Sequence, residues 1–103
     1  MTMLATEFKR LRLERGLSQR AIASLLHCDH TYISKIENDG ADYPPSEKFL
    51  VDAATVLDVE PDFLIFAAGR IPSRYSGLLS RLALVHGDRL PALLNQLLEV
   101  SNG

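Results

Sequence analysis

Positions 30 to 38 read HTYISKIEN. Placed on a helix, Ile33 and Ile36 point to one side at a spacing of i, i+3, which leaves His30, Thr31, Ser34 and Lys35 on the outward side. An imidazole, two hydroxyls and an ammonium on one face are hydrogen-bonding groups suited to reading a polar surface. Chemistry that breaks bonds needs more than this. The chain shows no paired carboxylates, no Ser/His/Asp set and no phosphate-cradling glycine-rich loop at useful spacing, so no enzyme is expected. The single cysteine, Cys28, rules out an intramolecular disulfide, and zinc-ligand spacing is absent, so neither a metal nor another cofactor is expected.

The elements that must carry this face are all helical, because no run alternates β-branched residues as a strand would. Residues 6 to 15 form a first helix with Leu4, Phe8, Leu11 and Arg12 on one side, stopped by Gly16. Ser18 caps a second helix, Gln19 to Leu26, with Ile22, Leu25 and Leu26 as its apolar face. After the short break His27-Cys28-Asp29, Asp29 caps the third helix, His30 to Asn38. The segment NDGADYPPS is a loop, and Ser46 caps a fourth helix, Glu47 to Leu57, with Phe49, Leu50, Ala53, Ala54 and Leu57 as its stripe. A fifth begins at Pro61, carries Phe63, Leu64 and Phe66, and ends before Gly69. Residues 70 to 74 connect to two leucine-rich helices, Tyr75 to Val85 and Arg89 to Val100.

Two short helices joined by a tight turn, SQRAIASLLHCDHTYISKIEN, are the helix-turn-helix arrangement, whose second helix enters the major groove of DNA. From about Phe8 to Leu64 the chain resembles the Cro/CI-type, or Xre, family of helix-turn-helix regulators. The likeness lies in Arg15-Gly16-Leu17-Ser18-Gln19, in Ala23, in Tyr32-Ile33-Ser34-Lys35-Ile36-Glu37-Asn38, and in Leu57-Asp58-Val59-Glu60-Pro61-Asp62. Seven helices make the fold all-α; the resemblance implies that the first five form a lambda-repressor-like helix-turn-helix domain over residues 1–69, and the two leucine-rich helices make an extension over 70–103. The resemblance also implies that His30 and Thr31 meet base edges, with Ser34 beside them and Lys35 within reach of a guanine or a phosphate. Gln19 resembles the family glutamine that binds backbone phosphate, helped by the helix dipole. Arg20, Tyr32 and Asn38 are further phosphate clamps, although Tyr32 could equally pack against a neighbouring helix.

Other positions read as structural. Ala23 must be small where the two helices cross. His27 stands where the family usually has glycine, and histidine tolerates the left-handed region. Cys28 fits as a small core hydrophobe. Arg12 and Glu37 are expected to pair as family members do, fixing the third helix rather than touching DNA. The loop NDGADYPPSE departs from the family in being acidic, which places Asp39 and Asp42 awkwardly for phosphate contact and suggests that it turns away from DNA.

Leu90, Leu93, Leu94, Leu97 and Leu98 make one apolar stripe. The first five helices already account for a core, so this stripe is expected to form a homodimer, setting two recognition helices about 34 Å apart on a palindromic operator. Packing back on its own domain is the alternative. The functional expectation is a dimeric, sequence-specific transcriptional regulator, in the usual case a repressor. The competing reading is an interaction adaptor or antitoxin that uses the same fold to dock a protein partner.

With 103 residues, 47% hydrophobic and 23% charged, the chain has the composition of one small globular domain with an appendage. Its first charge is Glu7, and no apolar run approaches the about 18 residues needed to cross a bilayer, so a cytoplasmic protein without membrane attachment is expected. The net charge of −2 argues against a generally basic nucleic-acid binder, yet it is unevenly spread. Residues 1–38 carry a net +2, residues 39–65 a net −6 and residues 66–103 a net +2. The acid sits apart from the helix-turn-helix, which permits site-selective binding while weakening nonspecific attraction.

Overall fold

The computed structural model describes residues 3–102, with side chains through residue 99; positions 1, 2 and 103 of the expected segments, and the side chain of Val100, lie outside the described residues. All regular structure within that range is helical. The chain divides between Pro72 and Ser73 into two compact units.

The first unit holds α1 (Met3–Glu14), α2 (Gln19–Leu25), α3 (His30–Glu37), α4 (Glu47–Leu57) and α5 (Pro61–Ala67). Local chemistry sets each boundary. Ser18, Asp29 and Ser46 adopt extended backbone and accept a first-turn N–H with their side chains, which caps α2, α3 and α4. Gly16 takes φ 68° and ends α1, with the Leu17 N–H turned back to the Arg12 carbonyl. His27 takes φ 57° in the turn between α2 and α3, as its type allows.

Leu4, Phe8 and Leu11 of α1 pack with Ile22 and Ala23 of α2, Ile33 and Ile36 of α3, Leu50, Ala53, Ala54 and Leu57 of α4, and Leu64 and Ile65 of α5. The structure departs from the sequence reading at three points. Helix α1 begins at Met3 rather than residue 6, because Leu4 and Ala5 are already buried. Leu25 does not belong to the apolar face of α2: it is 53% exposed, and the inward residues are Ile22 and Ala23. At about 100° per residue, Leu25 lies about 200° around the helix from Ala23, so turning Ala23 to the crossing turns Leu25 out. In α5 the buried residues are Leu64, Ile65 and Ala67, while Phe63 and Phe66 face outward.

The loop after α3 is pinned by Arg70, whose Nε–H donates to the Pro45 carbonyl (2.8 Å) and whose Nη2 donates to that of Pro44 (3.2 Å). This tie keeps Arg70 with the first unit, so the division falls inside the 70–74 connector. The second unit contains α6 (Ser76–His86) and α7 (Leu90–Asn102), each preceded by a single 3-10 turn. Among its described residues none is buried, and Leu94 (49%) and Leu98 (60%) stand well exposed.

Candidate nucleic-acid interface

Helices α2 and α3 with their turn form the bihelical unit expected from the sequence. Ala23 is buried where they meet, and its carbonyl accepts from the Cys28 N–H (3.0 Å), which tightens the turn. A larger side chain would have to push α3 outward. Ala23→Leu is therefore expected to lower unfolding stability by about 1–3 kcal/mol, read as a shifted urea midpoint. An unshifted midpoint would show slack at the crossing.

A buried ion pair fixes the third helix. Arg12 of α1 and Glu37 of α3 meet in two hydrogen bonds, Nε to Oε2 at 2.7 Å and Nη2 to Oε1 at 2.9 Å, with side chains 7% and 2% exposed. Nη1 of Arg12 donates to the Leu17 carbonyl (2.8 Å), so the guanidinium is held on both edges. The bonds to Glu37 raise the Arg12 pKa above its ordinary value, outweighing the opposing effect of burial. This is the pair that the family resemblance implies. Gln19, expected only at a phosphate, joins it, donating from Nε2 to Glu37 Oε1 at 3.1 Å. That bond spans 18 residues and exists only because α2 and α3 cross, so no local signal could have disclosed it.

The outer face of α3 carries Thr31 and Lys35 exposed, with His30 and Ser34 half-buried beside them. Arg20 is exposed on the first turn of α2. Asn38 donates to Ser34 Oγ at 3.3 Å, so these two act as a linked pair at the far end of the helix. Tyr32 turns inward: its ring meets Phe49 edge-on at 5.3 Å, and burial raises its phenol pKa, leaving the hydroxyl protonated at neutral pH. Cys28 is half-buried and its thiol pKa is raised by burial and then by Asp29, the opposite of an activated thiolate.

At the head of α3, Asp29 Oδ1 accepts from both the N–H (2.9 Å) and the hydroxyl (3.0 Å) of Thr31. Those bonds hold its carboxyl below the usual range. A depressed carboxyl contributes its capping stability fully above its unfolded pKa and loses it as pH falls through the folded one, so the cap is intact at neutral pH. The Thr31 hydroxyl proton is thereby engaged, which leaves that side chain its oxygen lone pairs and its methyl group for other contacts.

The family model for a helix-turn-helix domain matches residues 3–64, well over half of the chain. No curated protein matches it. Among solved structures, a chain of the SinR protein/SinI protein complex aligns over 96% of this chain and 94% of its own, with a TM-score of 0.55 and 22% sequence identity. At that identity the likeness is one of fold. No helix among the described residues is long and apolar enough to cross a membrane.

Proposed function

Because the chain belongs to the helix-turn-helix domain family, we propose that it is a sequence-specific DNA-binding transcriptional regulator acting as a repressor. The observation that carries this reading is the outward face of α3, where His30, Thr31 and Lys35 stand together on a helix clamped from behind by the Arg12–Glu37 pair. A reading helix must present hydrogen-bonding groups to base edges and be held against its domain; the His30 and Lys35 side chains and the buried ion pair behind them support this reading. His30 and Thr31 read bases near the start of the helix. Lys35, one turn further on, donates to guanine or phosphate. Arg20 and Gln19 hold the backbone from α2, and the Ser34–Asn38 pair does so at the far end of α3. Tyr32 contributes by packing, and its hydroxyl remains a donor.

Phosphate contacts release counterions, so affinity falls steeply with salt. Arg20→Ala is expected to weaken binding to all duplexes alike and to reduce the slope of log K against log salt by about 1 per protomer. A loss confined to one base position, with the slope unchanged, would instead make Arg20 a base reader.

The second unit supplies the dimer in this reading. Leu94, Leu97 and Leu98 are exposed, while Leu90 and Leu93 are half-buried along a groove of about 700 Å³ that Leu82 and His86 also line. Two helices with no buried residue among those described have little to hold them, and a second copy of the same hairpin would cover the leucines. Twofold symmetry would then match an inverted repeat with half-sites about 34 Å apart.

One observation favours a second reading. The solved neighbour is a complex of SinR protein with SinI protein, and a leucine-rich hairpin suits a protein partner as well as a second copy. In that reading the chain is an adaptor whose second unit docks another protein. A salt-dependent gel shift separates the two, since an adaptor that does not bind DNA shows no specific complex at any salt concentration.

A further inference from the structure

The loop between α3 and α4 is held at both ends. At its start the Gly40 N–H donates to the Lys35 carbonyl at 2.7 Å, and at its far end Arg70 holds the carbonyls of Pro44 and Pro45. Between these anchors the chain walls a cavity of about 240 Å³ that lies wholly within the first unit. The floor is apolar: Leu4, Ile36 and Pro45 are buried and Ala68 is half-buried. The rim is polar, and its residues Lys35, Asp39, Asp42 and Tyr43 are all exposed.

A segment that only joined two helices would not call for this. Tyr43 stands 82% exposed, and neither its hydroxyl nor the Asp42 carboxylate has a hydrogen-bond or ion-pair partner among the described residues. Holding a large aromatic ring in water beside an uncovered apolar floor is unfavourable. The two anchors fix the backbone before anything binds, so a ligand would meet a largely preformed site and little ordering cost.

Size and charge select the ligand. The volume is that of about eight waters at about 30 Å³ each, which suits a molecule of one ring or a short chain. Two carboxylates against one ammonium leave the rim with a net charge of −1, and the face of the Tyr43 ring adds attraction for a cation. An anion is repelled by both carboxylates. A neutral apolar molecule fills the floor and leaves Asp42 unanswered.

We propose that this cavity binds a small organic ammonium ion, its apolar body on the floor and its charged head at the rim of Asp42 and Tyr43, and that the bound charge strengthens DNA binding. Only the second clause rests on the DNA-binding reading above. Lys35 shares the cavity with Asp39 and Asp42, whose charge opposes its attraction for a duplex. A bound ammonium offsets that charge, and by linkage a bound duplex tightens the amine by the same factor.

The test is an amide NMR titration of the full chain with benzylamine, benzyl alcohol and benzoate, which share a ring and differ in charge. Benzylamine is expected to give saturable shifts at the residues lining the cavity, with affinity roughly fivefold above the other two, the effect of one opposite charge at about 4 Å in water. Asp42→Asn should remove that advantage and leave thermal unfolding unchanged, because the side chain is exposed. N-acetyl-lysine amide carries an ammonium without the ring and stands for the lysine of a partner protein; it is expected to bind more weakly than benzylamine, and tighter binding would overturn the small-molecule assignment. Equal binding of the three ring compounds, or no saturable shift with any of them, would overturn the site. In anisotropy titrations at fixed ionic strength, saturating benzylamine should raise affinity for a duplex selected from a random pool roughly fivefold in the unaltered chain and not in Asp42→Asn. An unchanged affinity would overturn the coupling and leave the site standing. A chain that binds no duplex with or without the amine would overturn the DNA-binding reading, and the coupling with it, while the NMR shifts still decide the site.

Discussion

Replacing Glu37 with alanine is expected to destabilise the first unit by about 3–5 kcal/mol, because it leaves the Arg12 guanidinium buried without its counter-charge. Against the about 5–15 kcal/mol that holds an ordinary domain together, this is a large fraction. Thermal or urea unfolding measures it directly. DNA affinity should fall in parallel, for two reasons visible in the structure. Helix α3 loses its tie to α1, and the Gln19 amide loses the oxygen that orients it. The double change Arg12→Met with Glu37→Leu separates these effects: it replaces a buried pair by apolar packing and should recover much of the stability. The Gln19 tether stays broken, so affinity should stay low. Unfolding of Glu37→Ala at the midpoint of the unaltered protein would contradict the role given to the pair.

The second large effect concerns the hairpin. Leu94 and Leu98 lie one turn apart on the same exposed side of α7. Changing both to glutamate should leave α1–α5 folded and, by placing like charges across the proposed twofold interface, convert the proposed dimer to a monomer in sedimentation. Each recognition helix would then bind its half-site alone. Loss of the linkage between two half-sites is expected to weaken operator binding by roughly 100-fold or more. A chain ending at Arg74 should behave in the same way. A variant that remains dimeric with unchanged affinity would contradict the assignment of this face.

Much of this architecture can be read from residue types. Serine or aspartate before an apolar run, Gly16 after one, and proline at the start of α5 mark boundaries because each answers a local backbone need. The Arg12–Glu37 pair was legible only through the family resemblance, which implies it, and the structure forms it. Where the reading failed, periodicity was too short to decide. Helix α2 has seven residues, so Ile22, Ala23, Leu25 and Leu26 fit two stripes nearly equally, and the crossing with α3 selects the one that excludes Leu25. In α5 four consecutive apolar residues, Phe63 to Phe66, carry no period at all, and packing against α1 and α4 chooses Leu64 and Ile65. Within the candidate interface, the composition of the outer face of α3 was evident from spacing. The bond from Gln19 to Glu37 was not, because it depends on side-chain geometry set by the fold.

The average charge was misleading for a related reason. A net of −2 describes no surface of the molecule: the acid lies between residues 39 and 65, while α1 to α3 carry the excess of lysine and arginine. Nonspecific attraction to DNA should therefore be modest, and in the proposed reading discrimination comes from base contacts along α3.

In the proposed reading, α3 reads base sequence in DNA. The most direct test of that reading is an anisotropy titration of the duplex selected from a random pool against a scrambled duplex of the same composition, between about 50 and about 200 mM salt. Tight binding to the selected duplex, at least about 1,000-fold above the scrambled one, with affinity falling steeply as salt rises, is the result expected of a sequence-specific regulator. Equal affinity for the two duplexes, or no binding to either at low salt, would contradict it.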